Sequence, residues 1–156
     1  MKRAVASMGL ALAFAVTAVP GSAGEFEKVL EARQSLMQVY SFNISILGAM
    51  AKGEMAYDPE IAQAAADNLH AAVTMKNPTM WPKGSDQAAL GDETRAKPEI
   101  WSTYPEIAEK SQAMQDAAAQ MASVAGTSPD AVRTNMKQLG DGCKGCHESF
   151  RVPKDQ

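Results

Sequence analysis

The chain has 156 residues, 46% of them hydrophobic and 21% charged, which suffices for one globular domain. Aromatics make up only 6% while alanine recurs throughout, a composition of packed helices rather than of a β-sandwich or barrel, which would want more β-branched and aromatic side chains. A net charge of -3 argues against a protein that works by neutralising nucleic-acid phosphates, and two cysteines are too few for a disulfide scaffold.

Met1-Lys2-Arg3 is a short basic start, Ala4 to Pro20 is almost uncharged, and Gly21-Ser22-Ala23 supplies the small residues a signal peptidase accepts. Residues 1–23 therefore read as a cleaved secretory signal. A membrane anchor is the alternative, but the run is short for a span, rich in Ala rather than Leu, and ends at Pro-Gly. Loss of Lys2 and Arg3 takes the basic count from 15 to 13 against 18 acidic residues, so the mature domain, residues 24–156, carries a net charge of -5. A soluble, exported, mildly acidic protein of the periplasm is expected.

Four helices follow in chain order. From Glu25 to Lys52, Phe26, Val29, Leu30, Leu36, Met37, Tyr40, Ile44, Leu47 and Ala51 recur at steps of three and four, with Gly53 as the stop. Asp58 caps a second helix with Pro59 at its first position; Ile61, Ala65, Leu69, Ala72, Val73 and Met75 carry it to about Lys76. Asn77 to Lys97 loses periodicity and gains Pro78, Pro82, Gly84 and Gly91, which predicts a long connection. A third helix starts near Pro98 or Pro105 and runs to about Val124; Ser128 and Pro129 open the fourth, which ends before Pro153. Two short connections and one long one predict an all-α fold, an antiparallel four-helix bundle.

The chemistry sits in Cys143-Lys144-Gly145-Cys146-His147. C-x-x-C-H is the attachment signature of haem c: two thiols add to the two vinyl groups, and the adjacent imidazole binds iron. Positions i, i+3 and i+4 share a helix face, so both thioethers and the axial nitrogen can meet one flat ligand. Three other readings compete. Zinc needs four ligands, and only a remote His70 could complete the set. A redox dithiol wants the pair at a helix start after a strand, and a disulfide leaves the histidine without a role. One covalent haem c is the expected cofactor.

In the first helix Arg33 falls on the apolar side, where a charge needs a partner. A haem propionate would supply one, and Met37, one turn on, would point towards the iron. The alternative is that Arg33 snorkels at the edge of the stripe and Met37 is ordinary core packing. Trp81 and Trp101, which flank the long connection, read as caps over the bundle end rather than electron relays. Lys144, Lys154, Arg151 and Arg133 cluster in the C-terminal quarter, as a solvated face or as a rim that steers an acidic partner.

Arg33-Gln34-Ser35-Leu36-Met37, Gly53-Glu54-Met55-Ala56-Tyr57-Asp58, Pro98-Glu99-Ile100-Trp101 and Cys143 to Arg151, in that order, resemble the cytochrome c′ family over essentially the whole mature chain. The resemblance implies a four-helix bundle with haem bound near the C-terminus. It implies propionate contacts from Arg33 and Gln34, Met37 at the distal haem-facing position, and Arg151 near the proximal face. The run Leu47-Gly48-Ala49-Met50-Ala51-Lys52-Gly53-Glu54 looks more like the low-spin cytochrome c-556-type branch, in which a methionine of the first helix binds iron. The first expectation is therefore a one-electron carrier, with His147 and Met37 as axial ligands and redox proteins as partners. The second is a five-coordinate protein that binds nitric oxide or carbon monoxide behind Met37. An enzyme would need distal acid/base groups, which His70 does not supply by any positional argument, so no catalytic residue is expected. Monomer and homodimer both remain open, since the Ala-rich faces of the first two helices favour neither.

Overall fold

The computed structural model describes residues 23–154, so the expected leader, apart from Ala23, lies outside the described residues. Six α-helices follow in order: α1 (Ala23–Lys52), α2 (Pro59–Thr74), α3 (Gln87–Leu90), α4 (Glu99–Ser102), α5 (Tyr104–Val124) and α6 (Pro129–Phe150). The four long ones pack as a closed ring, α1 on α2, α2 on α5, α5 on α6 and α6 back on α1, the four-helix bundle expected from the pattern.

Local chemistry sets the helix ends. Gly53 takes φ 76°, Gly53 N–H donates to Met50 O and Glu54 N–H to Ala49 O, a left-handed stop that satisfies the last carbonyls of α1. The Asp58 carboxylate accepts from the Glu60 and Ile61 amides at 2.9 and 3.0 Å, and the Ser128 hydroxyl accepts from Ala131 N–H at 3.1 Å. Proline stands at the first position of both helices, where its missing N–H costs nothing. The third long helix is interrupted: the Thr103 backbone breaks the helical path, leaving α4 as one turn before Pro105 restarts it in α5. The long connection is also more ordered than its aperiodic sequence suggests, with 3-10 turns at Pro78–Met80 and Gly91–Glu93 on either side of α3.

The apolar core is concentrated at one end of the bundle. Leu47, Leu69, Met121, Val132 and Leu139 are fully buried there, and Ala62, Ala66, Ala118 and Ala125 let the helix axes approach. This end joins the last turns of α1 and α5 to the first turns of α2 and α6. It is stitched by Tyr57 Oη–H donating to Ala125 O at 2.9 Å and by Gln63, which donates to Ala122 O and accepts from Gly126 N–H. The opposite end, where the long connection lies, buries polar groups, Arg33, Ser85 and Asp86, beside the apolar Leu30, Leu90 and Phe150. No described helix is long and apolar enough to cross a membrane.

Candidate haem site

Cys143, Cys146 and His147 lie in the last two turns of α6, all half-buried. Both thiols are free, and Cys143 Sγ lies 3.8 Å from Met114 Sδ of α5. Burial pushes both thiols above their ordinary values; for Cys146 the neighbouring Cys143 adds to this, while Lys110 and Arg151 oppose it. The His147 imidazole is held below its ordinary value by burial, then by Arg151 and Arg95, which keeps it neutral and so able to offer a lone pair at neutral pH. Among the described residues no three His, Cys, Asp or Glu side chains converge on a point, so the zinc alternative finds no ligand set.

Across the bundle, α1 presents Arg33. It does not snorkel: the residue is only 5% exposed. One guanidinium nitrogen, Nη2, donates to Ser85 O at 3.0 Å, and Cζ lies 4.7 Å from the centre of the Trp81 ring. The other, Nη1, is buried with no hydrogen-bond partner. Burial pulls this guanidinium below its ordinary value, yet it stays charged at neutral pH. A buried charge with a free N–H aimed at no protein acceptor calls for an anion, and a carboxylate is the acceptor whose geometry suits it.

Met37 stands one turn from Arg33 and is 39% exposed, outside the core cluster that Met50 and Met121 fill. The polarity on this stretch of α1 is therefore inverted: the charge is buried and the thioether is not. Tyr40, three residues further, donates from its hydroxyl to Ala72 O at 3.1 Å; burial raises its phenol and Cys143 raises it further, so this stretch of α1 lies across from the cysteine helix. Gln34 is exposed, as is Arg151. Trp81 and Trp101 form a tilted pair 6.3 Å apart, the Trp101 indole N–H donating to Trp81 O at 2.9 Å, which closes the bundle end as expected of caps.

Two free thiols at i and i+3, an imidazole at i+4 and an orphaned buried guanidinium suit a flat group that carries two vinyl carbons, a metal and carboxylates. These donors fit haem c. The family model of cytochrome C′ matches residues 28–151. The chain belongs to the cytochrome c′ family. Members of this family carry covalently bound haem c and work as haem proteins of the electron-transfer and gas-binding class, and so does this cytochrome. It is 38% identical over 147 residues to cytochrome c-554 of Cereibacter sphaeroides, covering 91% of this chain and 94% of that one. It matches the solved cytochrome c′ from Rhodobacter Spheriodes with a TM-score of 0.79 at 30% identity, over 83% of this chain and 98% of that one. A nitric oxide complex of a mutant cytochrome c prime from Alcaligenes xylosoxidans matches with a TM-score of 0.67 at 27% identity, over 83% and 97% of the two chains.

Sequence reasoning missed Ser85, Asp86 and Arg95. Ser85 is fully buried as the acceptor for Arg33, 52 residues away in sequence, and Asp86 caps α3 through Ala89 N–H at 3.1 Å. An Asp two residues after Gly84 and four before an apolar Leu90 was the only available signal.

Proposed function

We propose that this cytochrome is a periplasmic one-electron carrier rather than an enzyme, with Cys143 and Cys146 as the thioether attachments and His147 and Met37 as the axial ligands. The observation that carries the reading is the inverted polarity of α1, in which Arg33 is buried and Met37, one turn away, is held out of the core. Exposure by itself does not mark a ligand, since Met55 and Met75 are each 42% exposed; what sets Met37 apart is its place one turn from the buried Arg33.

Bound here, the haem supplies a ferric-ferrous couple. The chain's part is to hold it. Arg33 Nη1 offers a charge-assisted hydrogen bond to a propionate, and Ser85 O and the Trp81 ring fix the guanidinium beforehand, so little ordering entropy is left to lose. Gln34, exposed beside Arg33, is a second propionate donor at the rim. A thioether and a neutral imidazole bind either oxidation state, which limits rearrangement on electron transfer and favours a raised potential.

The oxidised holoprotein should give a low-spin optical and magnetic spectrum with a thioether-to-iron charge-transfer band, and Met37→Ala should abolish that band and turn the spectrum high-spin. A high-spin spectrum unchanged by Met37→Ala would overturn this reading in favour of the second one, a binder of nitric oxide or carbon monoxide gated by Met37. What favours that second reading is the likeness to a nitric oxide complex.

A further inference from the structure

The one strand-like pairing among the described residues lies outside the bundle, against the end of the cysteine helix. Ala96 pairs antiparallel with Arg151. Lys97 N–H donates to Phe150 O at 3.0 Å and Val152 N–H donates to Arg95 O at 2.8 Å. On its other edge the same segment accepts from Gln87 N–H at Ala96 O, at 2.7 Å. The connection is thus a strap, pinned at α3 and clipped onto the residues that follow the last turn of α6. That turn closes with Arg151 N–H on His147 O at 3.2 Å.

The strap delivers a side chain as well as a backbone. Arg95 Nε–H donates to Val152 O at 2.7 Å, so its guanidinium is fixed near its base five residues beyond His147. Arg151, the extended residue that caps α6, stands four residues after His147. The pairing thus brings Arg95 to the two residues that follow the turn carrying His147, and among the described residues neither arginine is ion-paired with a carboxylate. Arg95 is half-buried, which leaves its charge less screened than that of exposed Arg151.

We propose that Arg95 is a charge-setting and positioning residue for the proximal ligand, a second guanidinium held by the strap beside Arg151, so that the pair disfavours the more positive ferric state and keeps the reduction potential up. The bound haem would supply a one-electron couple between a reduced and an oxidised redox partner; the arginines move no proton and exchange no bond. The inference rests on His147 as the axial ligand, as proposed above, and not on Met37.

The test is the midpoint potential of the holoprotein at low and high ionic strength, with optical spectra of both oxidation states. Arg95→Gln should lower the potential with the spectra unchanged, Arg95→Lys should recover most of the loss, and the gap should narrow in high salt. A potential unmoved by Arg95→Gln, or one that falls equally in Arg95→Lys, overturns the inference and leaves Arg95 a mere anchor of the strap. If Arg95→Gln yields no holoprotein, Arg95→His carries the test in a single chain. Its potential should fall, relative to the parent over the same pH range, as the introduced imidazole loses its proton, and an unchanged difference overturns the proposal. The reading beneath is checked separately: if His147→Ala leaves the spectrum as it was, His147 is not the ligand, whatever Arg95 does.

Discussion

The two ends of this bundle are built from the same four helices by opposite rules. At the end formed by the last turns of α1 and α5, every large buried side chain is apolar, and the polar groups that enter are neutral and paired, as Tyr57 and Gln63 are. At the other end Arg33, Ser85 and Asp86 are buried beside the apolar Leu30, Leu90 and Phe150, and a charge keeps an unpaired N–H. The first end is complete as a polypeptide. The second is complete only with an anionic, thiol-reactive, metal-bearing group, and its stability belongs in part to that group.

The largest break in this contrast comes from Arg33. With Arg33 paired to a propionate as proposed, Arg33→Leu in the holoprotein would remove one partner of a buried ion pair and should cost about 3–5 kcal/mol. In the haem-free chain the same change removes a buried charge that has no anion, so the sign should reverse and the variant should be the more stable one. Denaturant unfolding of both forms measures this. A loss of equal size in both would mean that the Ser85 and Trp81 contacts, not a propionate, are what Arg33 is for.

Next in size is Leu47→Ala at the packed end. Leu47 is fully buried among α1, α2, α5 and α6 residues, and truncation should cost about 2–5 kcal/mol. Unlike Arg33→Leu, it should cost the same with and without haem and leave the optical spectrum unchanged. A spectrum that shifts would show the two ends to be mechanically coupled.

The difference between the ends also explains what could be read from the sequence. The packed end obeys local rules: the apolar stripe of α1 from Val29 to Ala51, the Asp58-Pro59 and Ser128-Pro129 starts and the Gly53 stop are each decided within a few residues, and each was legible. Cys143, Cys146 and His147 stand out in the sequence because their spacing is the one that thioether attachment would require. Arg33 was legible as an anomaly in a stripe. Its ring partner Trp81 and its acceptor Ser85 were not, because a pairing across 52 residues is set by how the bundle closes. The strap was invisible for the same reason: Arg95 meets Val152 across 57 residues, and nothing in Thr94-Arg95-Ala96-Lys97 marks it as strand-like.

A smaller effect at the packed end is Asp58→Ala. The carboxylate satisfies two amides of the first turn of α2, so its loss should cost about 1 kcal/mol of stability. Asp58 is exposed and acts on one helix end only, so the change should leave the spectrum and the potential where they were.

The finest comparison lies within α6, where two glycines two residues apart face different constraints. At Gly140 a Cβ would meet nothing within 4 Å, so Gly140→Ala should gain roughly 0.5–1 kcal/mol, the ordinary advantage of alanine inside a helix. At Gly142 the same Cβ would stand 3.1 Å from Met114 Sδ and 3.2 Å from Met114 Cα. The sulfur can swing away, but the Cα belongs to the α5 backbone, so Gly142→Ala has to spread α5 from α6 at the level of Cys143. The helical gain is then offset by lost contact, including the 3.8 Å approach of Cys143 Sγ to Met114 Sδ, and the net change should be destabilising. Denaturation midpoints of the two variants measure the difference directly. Opposite signs mean that close approach of α5 fixes where the first thiol sits; equal gains would mean that α5 yields freely and that the cysteine helix is positioned by the strap alone.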